Sequence, residues 1–171
     1  MRYQVLASAV LICGACFAQS KADPVVASSQ QLFNMAKNDI LRSADKVPDE
    51  LWSFQPTPEV RTFAQMFAHV ADGQYEFCGA AAGKPVDKGI EKTAKTKADI
   101  TAALKEAFAF CETTYSGMTR DSALGTVRQF GAERTRLSIM DFNVAHTMEH
   151  YGNLVTYMRL KGIVPPSSER K

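Results

Sequence analysis

The chain has 171 residues, 46% of them apolar and 22% charged, with a formal net charge of +2 at pH 7. That length suits one domain with a single core, and that balance excludes a disordered, collagen-like or low-complexity protein. Lysines and arginines are scattered among acids with no basic stripe, so the charge pattern argues against a nucleic-acid partner.

The first 22 residues read differently from the rest. Arg2 precedes an apolar stretch from Val5 to Ala18, and small residues follow at Ala18, Ser20 and Ala22. A short positive region, an apolar region and a small-x-small site describe a secretory signal peptide, and the run is too short for an ordinary membrane-spanning helix. The expected division is a signal peptide over 1–22 and one domain over 23–171, secreted or periplasmic, with no membrane attachment after cleavage. Cleavage removes Arg2 and Lys21 and no acid, which brings the formal charge to zero. It also removes Cys13 and Cys16 and leaves Cys78 and Cys111. Two cysteines in an oxidising compartment invite a disulfide, and two buried thiols are the other reading.

Residues 25–44 carry Val25, Leu32, Phe33, Ala36, Ile40 and Leu41 at helical spacing. Val47 to Pro58 holds three prolines and reads as a connection, with Leu51, Trp52 and Phe54 available to cover one end of the core. A second helix is predicted from Thr62, where Thr62-x-x-Gln65 forms a capping box, to about Gly83. Lys84 to Lys95 is polar and loop-like. Thr96-x-x-Asp99 opens a third helix whose stripe includes Ile100, Leu104, Phe108, Cys111 and Tyr115. Ser116 to Gly131 reads as a loop with at most a short turn. The fourth helix, about Thr135 to Lys161, is the clearest: it lacks proline, and Gly162 followed by Pro165-Pro166 supplies its stop. No segment alternates with period two. The predicted fold is all-α, an antiparallel four-helix bundle. With simple up-and-down connections the second and fourth helices point the same way. Cys78, near the end of the second helix, then faces the start of the third, so a bond to Cys111 requires an offset between those helices.

The three histidines are His69, His146 and His150. His146 and His150 are spaced i, i+4, which places both rings on one helical face about 6 Å apart along the axis. Asn143 and Asn153 share that face. His69 falls seven residues after the second helix's start, and the pair eleven and fifteen residues after the fourth's, so all three sit at comparable depths. A lone histidine on a helix is ordinarily a surface or core residue. Three neutral imidazoles from two helices, with a coordination position left open, are instead the ligand set of a catalytic metal site. Asp72, one turn beyond His69, is a candidate to orient a ligand or to fill the fourth position. Glu149 lies three residues from His146 and is the candidate proton-transfer group, with a solvated helix glutamate as the plainer reading. His146 to His150 also fits H-x-x-E-H, the inverted zinc-peptidase motif, but only 21 residues follow it and no acidic ligand stands where that family needs one. Phosphate-cradling loops, a nucleophile elbow and a haem attachment motif are missing.

Two stretches resemble the DinB superfamily, and the likeness spans essentially the whole chain after residue 22. One runs from Phe54-Gln55-Pro56-Thr57-Pro58 through Arg61-Thr62-Phe63 to Ala68-His69-Val70. The other runs from Asn143-Val144-Ala145-His146 through Glu149-His150-Tyr151-Gly152-Asn153 to Lys161-Gly162-Ile163-Val164-Pro165-Pro166. The resemblance implies a metal triad of His69, His146 and His150, a divalent ion such as zinc, nickel or manganese, and a small-molecule substrate. Characterised relatives include thiol-dependent S-transferases and a mycothiol-dependent isomerase, and members often form dimers, so the resemblance implies a metal-dependent enzyme and allows for a homodimer.

Overall fold

The computed structural model describes residues 23–169, and the signal peptide expected over 1–22 lies outside them. The described chain is mostly helical. Helix α1 spans Pro24–Lys46, α2 Phe63–Ala81, α3 Ile90–Thr93, α4 Lys97–Ser116, α5 Arg120–Leu124 and α6 Arg136–Leu160. A two-stranded antiparallel hairpin, β1 Thr126–Gln129 and β2 Ala132–Thr135, stands between α5 and α6. The all-α expectation needs that correction: Ser116 to Gly131 is a helical turn followed by part of a hairpin. The strands escape a period-two reading because they expose residues on both faces, so neither face carries an apolar row.

The helix starts follow their chemistry. The Asp23 carboxylate accepts from the Val25 and Val26 amides ahead of α1, and Pro24 occupies a first-turn position where it loses no helical bond. Thr62 with Gln65 and Thr96 with Asp99 both form reciprocal capping boxes. Gly162 takes the left-handed conformation (φ 71°) just past α6, and the Ile163 amide bonds back to Met158. No helix of the described residues is long and apolar enough to cross a membrane.

The four long helices share one apolar core, each packing on two others. Their directions depart from the simple up-and-down order. Along α2 and α6 the facing pairs are Cys78 with Asn143, Gln74 with Thr147, His69 with His150 and Phe63 with Tyr157, so α2 and α6 run antiparallel. Helix α4 begins beside the chain that precedes α2: the Lys97 ammonium donates to the Val47 carbonyl and lies over Trp52, which packs on Phe67. From there it runs parallel to α2, bringing Cys111 level with Cys78. Helix α1 is antiparallel to α4, through Lys37 with Glu112 and Ser29 with Tyr115, and parallel to α6, through Ser29 with Asp141.

The cause is the connection between α2 and α4. After Gly83 it turns back along α2. A side chain on Gly79 would strike the Lys84 carbonyl, and Asp72 receives the α3 amides of Ile90 and Glu91. The segment expected as a loop is therefore a crossover carrying a helical turn. It supplies the offset that the cysteines need: Cys78 and Cys111 form a disulfide with Cα atoms 5.3 Å apart, fully buried between α2 and α4. Trp52 and Phe54 cover one end as expected, Phe54 packing near Phe63 and edge-on to Tyr157.

Candidate metal centre

His69 comes from α2, and His146 and His150 come from adjacent turns of α6. His150 lies level with His69, and His146, one turn earlier on α6, lies against Gly73 of α2. The Nε2 atoms of His146 and His69 are 3.2 Å apart, and those of His150 and His146 are 3.0 Å apart. Each ring offers a nitrogen, and the three nitrogens lie within 4.8 Å of one another. The sequence expectation that these side chains converge holds, although through helices of opposite rather than equal direction.

Nitrogens around a tetrahedral zinc at 2.0–2.1 Å lie about 3.3 Å from one another, close to the spacing here. Charge favours the same use. Burial first, and the neighbouring imidazole next, push both His146 and His150 down to about 4, so each is a neutral ligand at pH 7. Three lone pairs facing one point repel unless something positive or a shared proton stands between them. The residues fit a divalent ion.

His69 has an outer partner that the sequence reading missed. Its Nδ1 lies 3.3 Å from the Glu91 carboxylate, whose other oxygen accepts from Arg61 Nε at 2.9 Å. A proton held on Nδ1 beside that carboxylate leaves the Nε2 lone pair aimed at the other histidines, as in the carboxylate–histidine pairs common around metals. Nothing near Glu91 in the sequence marks this role. The one available signal was length: a connection of more than about eight residues between helices suggests a crossover rather than a hairpin. His146 and His150 lack this support: their Nδ1 atoms are buried and bond no described residue. They are held by packing instead, with Phe77 edge-on to His146 at 5.1 Å between ring centres.

Asp72 is neither the fourth ligand nor a direct partner of a histidine. Its two oxygens accept from Ile90 N (2.8 Å) and Glu91 N (2.9 Å), which fixes the start of α3. The capping role arises because α3 has no side-chain cap of its own, and the crossover lays its first amides against α2. Asp72 thus acts one step further out, holding the turn that presents Glu91.

Behind the rings lies a polar layer. The Gln74 amide donates to Thr147 Oγ1 (2.9 Å) and accepts from Asn143 (2.8 Å), and the Asn143 amide also faces both cysteine sulfurs. Gln74, Asn143 and Thr147 are all buried, so this network fixes the axial register of α2 against α6. Asn143, expected on the histidine face, contributes to register rather than to the centre. The disulfide likewise stands behind that face.

In front, a cavity of about 560 Å³ opens beside His150. Gln55, Arg61, Glu91, Glu149, Asn153 and Tyr157 line it among others. Glu149 is exposed and hydrogen-bonds no described residue, and its charge is felt at His150, whose basicity it raises. The structure therefore puts Glu149 in the lining of the cavity, next to His150 in sequence.

A helical fold of this topology with three convergent histidines defines a class of candidate metal-binding proteins. A family model described as the DinB superfamily matches residues 32–154, and the chain belongs to that superfamily. Its fold is similar to that of a DinB-like protein from Bacillus subtilis, at 18% identity over 87% of this chain and 100% of that one, with a TM-score of 0.68. A DinB-like protein from Bacillus cereus gives 17% identity, 82% and 95% coverage and a TM-score of 0.72. The mycothiol-dependent maleylpyruvate isomerase gives 14% identity and a TM-score of 0.64, over 75% of this chain but only 60% of that enzyme. No curated protein matches the chain.

Proposed function

We propose that the protein is an exported metal-dependent enzyme acting on a small molecule, built on the four-helix bundle of its family, with His69, His146 and His150 as ligands. The convergence of three imidazole nitrogens beside a polar cavity is the observation that carries this reading. Three imidazoles without a carboxylate favour zinc or nickel over manganese. A divalent ion there supplies Lewis acidity and makes a nucleophile available at neutral pH. Glu149 takes up the proton that the nucleophile loses and returns it to the leaving group. Glu91 keeps His69 in the required tautomer. The cavity beside His150 admits the substrate.

Thiol transfer and hydrolysis both suit such a site. The leader-like residues 1–22 and the buried disulfide support a location outside the cytoplasm, where a thiol co-substrate is scarce, and this favours hydrolysis. A non-catalytic role, with an ion that only ties helices together, would call for a closed site with Asp72 as the fourth ligand. Asp72 is occupied with α3, which weakens that alternative.

The test is a screen of small electrophilic esters, amides and epoxides, with and without added thiol. Turnover is expected to vanish in chelator, return with zinc or nickel, and fall roughly 10²–10⁴-fold in Glu149→Gln. Turnover indifferent to chelator would remove the proposal.

A further inference from the structure

The cavity carries a second chemical feature besides the histidines. The Arg61 guanidinium is tied at Nε to Glu91 Oε1 (2.9 Å), and its side chain remains 39% exposed into the cavity. A guanidinium has five N–H donors in a rigid fork, and the four on its terminal nitrogens bond no described residue. Tyr157 is 5% exposed and lines the same cavity, and its hydroxyl also bonds no described residue. Burial holds that phenol above its ordinary titration range despite the nearby arginine, so it stays a donor.

We propose that the substrate bears a carboxylate, received by the terminal nitrogens of Arg61 and the Tyr157 hydroxyl, while its reacting group lies at the three histidines. This rests on the metal-site reading above. Glu91 is the hinge of the argument: one oxygen fixes Arg61 and the other faces His69, so the anion-binding edge and the metal ligands are held in one fixed relation. Such preorganisation lets both ends of a short molecule bind without ordering the side chains anew. Charge selects the ligand further. Glu59, Glu91 and Glu149 line the cavity against Arg61 alone, and a divalent ion brings the total to neutral. A singly charged carboxylate suits that balance, whereas a phosphate dianion does not.

The test uses the cobalt-loaded protein and its visible spectrum. Acetohydroxamate reports binding at the ion alone. The monohydroxamates of succinic and glutaric acid add a carboxylate at two distances. The tighter of these two is expected to bind roughly tenfold better than acetohydroxamate, as a charge-assisted pair would give. Arg61→Gln should erase that advantage and leave acetohydroxamate affinity nearly unchanged, and Arg61→Lys should keep part of it. Equal binding of all three probes by the unaltered protein would overturn the inference while leaving the metal site intact. So would an Arg61→Gln protein that weakens every probe alike, since Arg61 would then act only by holding Glu91. A protein that takes up no cobalt would instead remove the metal reading itself.

Discussion

The ring of His146 lies against the bare Cα of Gly73: a methyl group there would stand 2.8 Å from Cε1 and 3.1 Å from Nδ1. Gly73 sits inside α2 without a left-handed backbone, so space rather than conformation calls for glycine. Gly73→Ala adds about 1 kcal/mol of helix propensity and forces the His146 ring from its place. The metal-free variant should therefore melt near the unaltered protein, while zinc affinity in chelator competition falls by roughly tenfold or more. Unchanged affinity would show that His146 does not need this position.

Asp72 and Glu91 should rank by distance from the ion. Glu91→Gln removes the charged partner of His69 and is expected to weaken metal binding roughly 10–100-fold. Asp72→Ala frees the Ile90 and Glu91 amides and should produce a smaller loss, with the helical turn at 90–93 exchanging its amide protons faster. Chelator competition and hydrogen exchange read both. Complete loss of metal in Asp72→Ala alone would instead make Asp72 a ligand.

The structure also sets a pH dependence. His146 and His150 titrate near 4 when folded, against 6.5 when free. Between these values the unfolded chain binds more protons, so the metal-free protein should lose stability as pH falls from about 6.5 through 4. Above about pH 7 both states carry neutral rings, and the contribution is level. Urea midpoints measured across that range should decline less in the double variant His146→Gln, His150→Gln. Equal decline in both proteins would contradict the assignment.

Much of this was legible beforehand, for identifiable reasons. The long helices announced themselves through caps such as Thr62–Gln65 and through apolar stripes, both local signals. The histidine set was legible because His146 and His150 share a face whatever α6 packs against. Direction was not legible, since a stripe says which face is buried and nothing about the neighbour's polarity. Glu91 and the Cys78–Cys111 bond both depend on the crossover at 82–96, and its path is fixed by remote contacts: Asp72 to α3, and Lys97 to Val47. The hairpin at 126–135 was hidden by its exposure, and by a turn that places Phe130 (φ 51°), beside Gly131, in a conformation most side chains avoid.

The disulfide closes a loop between residues 33 apart in sequence, which should add about 3–4 kcal/mol of stability on the chain-entropy argument. Cys78→Ala with Cys111→Ala should lower the urea midpoint accordingly and leave metal stoichiometry intact, because neither sulfur faces the ion. Loss of metal together with the disulfide would show that the buried layer of Gln74, Asn143 and Thr147 cannot keep α2 and α6 in register by itself.

The most direct test is elemental analysis of the purified protein after zinc or nickel loading and gel filtration. About one ion per chain is expected, and almost none in His146→Ala that remains folded. A folded protein that holds no ion, or a His146→Ala variant that keeps full occupancy, would contradict a shared metal site at His69, His146 and His150.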